Sequence, residues 1–334
     1  MKRFYAVISV LFLAIVLAAC REHGVDDVKA ALGELVDKLT GYEVDAVMTI
    51  SENEKRYVFD VNVKYYKKDQ LDLYKVTLKN RDSNNLQVIL KNEEGVFILN
   101  PTLNKSFKFQ SDWPLNSSQP YLLQSIVKDV VNDKNAAIVK QDNTYVIETK
   151  VDYLKSKELV KQKITIDAKT LHPKELSVYD ATNKERIHVL FGTINLKPKF
   201  KETEFYVEAT MQTIKEEHQD IPVLAPERPT FVPTYTIQGT TVVEPVYEGD
   251  EQTIVTITGT RHITIVQRDA SYAEEMAIEV MYGDLVILKD GAALATNTMI
   301  TWYKDGAMIS VIADRIDDDI IRLANSLQDV ETQK

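Results

Sequence analysis

Apolar positions along the chain change their spacing several times, and each change marks an element. Val25, Val28, Leu32, Leu35, Val36 and Leu39 recur at helical spacing, with Asp26, Asp27, Lys29, Glu34, Asp37 and Lys38 on the other faces and Gly41 beyond the end. The spacing predicts an amphipathic helix. From Tyr42 the period drops to two: Val44, Ala46, Met48 and Ile50 alternate with polar neighbours, and Tyr57, Phe59, Val61, Val63 and Tyr65 do the same after the polar turn Ser51-Glu52-Asn53-Glu54. That alternation predicts two half-buried strands in a hairpin. Further strands are expected at 71–78, 86–90, 96–99 and 106–109, separated by turns rich in asparagine, glycine and proline.

A second amphipathic helix is predicted after Ser117-Ser118-Gln119-Pro120, its apolar stripe made by Leu122, Leu123, Ile126, Val127, Val130 and Val131. Strands resume near 136–141, 144–150, 161–167, 173–179 and 186–193. An antiparallel meander interrupted by two helices predicts a strongly curved sheet whose inner side is capped by helices. After Thr213 the composition shifts: charged residues from Lys215 to Asp220 precede Pro222, Pro226, Pro229 and Pro233. Dense proline favours extended linker over helix or sheet. The expected organisation is therefore a first domain over 25–213, a linker over 214–233 and a smaller α+β domain over 234–334. In the last of these, strands are expected near 253–259, 262–268, 277–280, 285–288, 298–303 and 307–312. A closing helix follows Asp317-Asp318-Asp319, where carboxylates suit a helix N-terminus.

The 334 residues are 44% hydrophobic, enough for each unit to bury a core. The net charge of -10 argues against nucleic acid as a partner and against attachment to an anionic membrane through a basic patch. Only one cysteine is present, so no intramolecular disulfide forms. Its surroundings explain it. Lys2 and Arg3 make a positive start, residues 4–16 an apolar stretch, and Leu17-Ala18-Ala19-Cys20 matches the bacterial lipobox. The expectation is a signal peptide over 1–19, a diacylglycerol on Cys20, and a tether over 20–24 holding the protein at the outer face of the cell membrane. Two or more acyl chains make such an anchor durable. Loss of Lys2 and Arg3 takes the charge from -10 to -12, which leaves a soluble, acidic body on that tether.

No catalytic signature stands out. His23, His172, His188, His218 and His262 are scattered without metal-ligand spacing, and neither a nucleophile elbow nor a phosphate-binding glycine loop occurs. Enzymatic activity, metals and cofactors are not expected. Asp317 to Asp319 lack the alternate ligands, central glycine and distant glutamate of a calcium loop, which favours helix capping. The aromatic set Tyr57, Phe59, Tyr65, Tyr66, Tyr74, Phe97, Phe107 and Phe109 either lines an apolar cavity or fills a core.

The run Gly-Val-Phe-Ile-Leu-Asn-Pro-Thr-Leu-Asn-Lys over 95–105, continued by Ser-Phe-Lys-Phe-Gln and Ser-Asp-Trp-Pro to residue 114, carries a family resemblance. With the early helix and two-stranded entry, residues 25–213 resemble the LolA-like lipoprotein carriers, and more closely the YdcC-type sporulation lipoproteins and their germination relatives in endospore formers. The tail around 299–306 and 323–327 resembles a domain found at the end of such lipoproteins. The resemblance implies an incomplete antiparallel β-barrel covered by helices, mainly β, whose apolar hollow holds an acyl chain. It makes Tyr57, Phe59, Tyr65, Phe97, Phe107, Phe109, Leu122, Leu123, Ile126 and Val127 the candidate lining. It also implies a role in sporulation or germination. An anchored protein cannot shuttle across a compartment, so two roles follow: binding a lipid or lipoprotein acyl group at one membrane, or scaffolding a partner protein there.

Overall fold

The computed structural model describes residues 24–52, 54–83, 85–217, 229–249, 252–270 and 276–330. The signal segment, Cys20 with the start of its tether, His23, His218 and the middle of the proline-rich stretch lie outside the described residues. Helix α1 (Val25–Asp37) is followed by strands β1 (Gly41–Glu52), β2 (Lys55–Lys68), β3 (Leu71–Asn80), β4 (Leu86–Asn92), β5 (Gly95–Asn100) and β6 (Lys105–Gln110). After α2 (Leu123–Asn132) come β7 (Ala137–Gln141), β8 (Thr144–Lys150), β9 (Leu159–Asp167), β10 (Pro173–Asp180) and β11 (Glu185–Asn195). The β1–β2 hairpin runs in unbroken register from Gly41 opposite Tyr66 to Glu52 opposite Lys55, with Glu54 at φ 67° in its turn. Two meanders, β1 to β6 and β7 to β11, join through antiparallel pairing of β1 with β11. The resulting sheet is mainly antiparallel and open, so the barrel is incomplete.

Alternation along each strand sorts side chains onto two faces. The inner face, with Val44, Met48, Val61, Val76, Ile89 and Ile98, packs against Val28 and Leu32 of α1 and Leu123, Ile126 and Val130 of α2. The outer face of β3 to β5 is also covered. A short 3-10 turn (Glu202–Phe205) leads into helix α3 (Val207–Glu217), which was not expected and which runs across position 213. Phe205, Val207, Met211 and Ile214 bury Leu73, Val88, Leu90, Phe97 and Leu99 on that side. Their spacing is helical, but the stretch is short and its surface polar, so periodicity alone was too weak to separate it from linker.

The remaining chain adds β12 (Phe231–Pro233), β13 (Thr240–Val242), β14 (Val246–Glu248), β15 (Gln252–Gly259), β16 (Ile263–Asp269), β17 (Ala277–Tyr282), β18 (Asp284–Leu288), β19 (Gly291–Ala295), β20 (Met299–Lys304) and β21 (Ala307–Ile312). It ends with α4 (Asp318–Asn325) and β22 (Leu327–Asp329). Most of these strands form a second antiparallel sheet over a core containing Val255, Ile265, Trp302, Ile309 and Leu323. Asp317 caps α4 by accepting the Ile320 amide at 3.3 Å, as its carboxylate-rich start predicts. One strand departs from this unit: β17 lies beside β6 in parallel and completes a 12-stranded first sheet.

The second sheet is also packed onto the first. Leu285, Ala292, Leu294 and Tyr303 belong to the same buried cluster as the inner face of β1 to β3. The Gln87 side-chain carbonyl accepts the Ala292 amide at 2.7 Å, and Asn85 donates to the Asp290 carbonyl at 2.9 Å. Gly291 permits this approach: its φ is 121°, and a Cβ there would stand 2.2 Å from Gln87 Oε1.

Candidate functional site

The structure divides the candidate cavity residues. Phe59, Tyr65, Phe107 and Phe109 lie buried on the inner face, and Leu122, Leu123, Ile126 and Val127 cover it from the start of α2. Tyr57 sits half-buried near the end of the first hairpin with the Lys289 ammonium 5.5 Å from its ring centre. Phe97 points the other way, into the core beneath α3, because it lies one residue out of phase with Val96 and Ile98. These side chains therefore do not line one hollow. Tyr65 packs between Tyr42 and Tyr74, with centroids 5.2 and 5.0 Å away, and Phe107 stacks on Tyr303 of β20.

Beneath α2 there is an apolar void of ≈ 20 Å³, bounded by Leu32, Leu123, Ile126, Val127, Ile147 and Ile164. That is room for about one water, against the roughly 300–1,000 Å³ of a ligand pocket. A larger cavity of ≈ 90 Å³ lies elsewhere, where the two sheets meet. Met48, Ile50, Leu159, Leu285, Ile287 and Ile321 give it apolar walls, and Ser117 to Pro120 and Tyr153 to Ser156 frame it. None of the candidate residues lines it. Four of its charged groups form two pairs: Arg186 meets Glu52 at 2.5 Å, and Arg322 Nε donates to Glu158 Oε2 at 3.1 Å. The Tyr153 hydroxyl is buried without a hydrogen-bond partner among the described residues, and burial pushes it well above the usual tyrosine range.

Between α2 and β9 lies a half-buried carboxylate, Asp129, whose Oδ2 accepts from Gln162 at 3.1 Å. Burial pushes its pKa up to about 6. Among the described residues no group of three His, Cys, Asp or Glu side chains is placed to hold a metal ion. No helix of the described residues is long and apolar enough to cross a membrane. The ≈ 90 Å³ cavity is not legible in the sequence because its walls come from six distant stretches, and the signals these carry are for strands and helix starts, not for a shared hollow.

The model of a protein family described as "Sporulation protein YdcC-like" matches residues 1–205. The sporulation protein YdcC of Bacillus subtilis (strain 168) is 32% identical over 334 residues, covering 98% of this chain and 97% of that protein. Among solved structures, the MucA/MucB complex of Pseudomonas aeruginosa is similar at a TM-score of 0.33 and 12% identity, over 90% of this chain and 99% of the matched one. A putative outer membrane lipoprotein-sorting protein domain from Vibrio parahaemolyticus is similar at a TM-score of 0.34 and 10% identity, over 57% and 98% of the two chains.

Proposed function

From the premise that this chain belongs to the family of YdcC-like sporulation proteins, we propose that it is a lipid-anchored, non-catalytic protein of the sporulating cell's envelope that binds a partner protein. One observation carries the choice of a protein partner: the inner face of the half-barrel is filled by its own side chains. Helices α1 and α2 cover one part and Leu285, Leu294 and Tyr303 another, leaving ≈ 20 Å³ beneath α2. An acyl chain has no room there. The lipobox around Cys20 supports an anchor at the outer face of the membrane, where a scaffold needs no cargo space.

A second reading rests on the ≈ 90 Å³ cavity: its apolar walls suit the end of an acyl group, with the lone Tyr153 hydroxyl beside it. Native mass spectrometry of the full chain, extracted from sporulating cells, separates the two. A complex with one polypeptide of constant mass, free of acyl species beyond the anchor, supports the scaffold. Enriched acyl lipid that disappears in Ile287→Trp, which fills the cavity, overturns it in favour of lipid binding.

A further inference from the structure

Strand β17 ends the 12-stranded sheet, and its outer edge pairs with nothing among the described residues. Exposed edges invite further strands, and proteins blunt them with lysine, proline or bulges. The opposite edge, β7, carries Lys140. In contrast, β17 reads Ala-Ile-Glu-Val-Met-Tyr, without lysine, proline or a bulge, and Glu279 is its one charged residue. Ile278, Val280 and Tyr282 are 42%, 74% and 82% exposed, an apolar stripe along one face of an open edge.

Two parities coincide here. The Ala277 amide donates to the Asn104 carbonyl at 3.1 Å, so the main chain of residues 277, 279 and 281 faces β6. The amides and carbonyls of 278, 280 and 282 consequently face outward, and these residues carry the exposed apolar side chains, whereas Glu279 is exposed on the opposite face. We propose that this edge pairs with the same edge of a second copy of the chain, antiparallel about a twofold axis at Val280.

The register follows from the sequence of the strand. With Val280 opposite its own copy, Ile278 falls opposite Tyr282, and all three pairs are of the closely hydrogen-bonded kind because their main-chain groups point outward. Glu279 then falls opposite Met281, so no like charges meet across the axis. Shifting the register by two residues in either direction leaves one end of the apolar stripe without an apolar partner. The contact is isologous, as a twofold dimer requires. Six residues a side bury less than the roughly 1,000 Å² of a stable dimer, so association in dilute solution is weak. Confinement of both copies to one membrane raises their effective concentration and favours pairing.

Disulfide trapping in native membranes tests the register with the full chain. If Cys20 carries lipid, a cysteine introduced on β17 is the only free thiol. Val280→Cys is expected to give, under mild oxidation, a disulfide-linked dimer at least about tenfold above Val139→Cys on β7, since hydrogen-bonded partners stand ~5.5 Å apart at Cα, within disulfide reach. Ile278→Cys or Tyr282→Cys alone should cross-link weakly, and co-expression of the two should restore the dimer. Equal trapping at positions 139 and 280, or equal trapping at 278, 280 and 282 singly, overturns the proposal. A disulfide from Val280→Cys to a polypeptide of different mass also overturns it, while leaving the partner-binding reading intact.

Discussion

Phe107 of β6 and Tyr303 of β20 lie face to face, their ring centroids 4.7 Å apart and their planes 4° from parallel. One ring belongs to the first sheet and the other to the second, and both are nearly inaccessible to solvent. This contact closes the inner face at the β6 end and makes the C-terminal strands part of the first core. Truncation by Tyr303→Ala is expected to cost about 3–5 kcal/mol, as for other large buried aromatics. The Tyr303 hydroxyl has no hydrogen-bond partner among the described residues, so Tyr303→Phe should leave stability equal or higher. Urea unfolding monitored by far-UV circular dichroism checks both, and equal losses in the two variants would contradict the packing argument.

The Gly291 and Gln87 pair offers a second test of how the sheets are joined. A methyl at Gly291 collides with the Gln87 amide and strains a backbone at φ 121°, so Gly291→Ala should lose about 1–3 kcal/mol. Part of that loss is steric and part is backbone strain. Combining it with Gln87→Ala removes the collision, and the double variant should be more stable than the sum of the single losses implies. A double-mutant cycle that adds without coupling would rule out the contact.

Asp129 should leave a signature in the pH dependence of stability. Its folded pKa, about 6, lies above the ordinary value of 3.8, so between these values the folded chain holds more proton than the unfolded chain. The Asp129 contribution therefore favours folding at low pH and turns against it as pH rises through about 6, by on the order of 2–3 kcal/mol. Asp129→Asn removes that penalty while keeping the shape. The variant's melting temperature is expected to exceed that of the parent at pH 7.5 and to converge with it toward pH 4.5. A difference independent of pH would show that the carboxylate does not titrate as described.

Cys20→Ser tests the anchor independently of the fold. The variant should leave the membrane fraction after cell breakage, while the unfolding midpoint of its body stays within error of the parent's. Retention in the membrane after signal cleavage would show that the attachment lies elsewhere.

Local pattern determined a great deal here. Period-two alternation marked the β1–β2 hairpin, helical spacing marked α1 and α2, and the carboxylates from Asp317 to Asp319 marked the start of the closing α4, because each of these depends on neighbours within a few residues. The lipobox likewise lies in consecutive residues. What alternation cannot say is what covers each face of a strand. Along Leu86-Gln87-Val88-Ile89-Leu90 every residue is buried, Leu86, Val88 and Leu90 under α3 and Gln87 and Ile89 toward the inner face; Phe97 and Phe109 likewise look alike in sequence yet end on opposite sides. Nor does any local signal carry Tyr303 to Phe107, Ala292 to Gln87 or β17 to β6. Those meetings are decided by which apolar surfaces remain uncovered once the strands have formed, and burying the inner face with helices and C-terminal side chains leaves the candidate hollow filled.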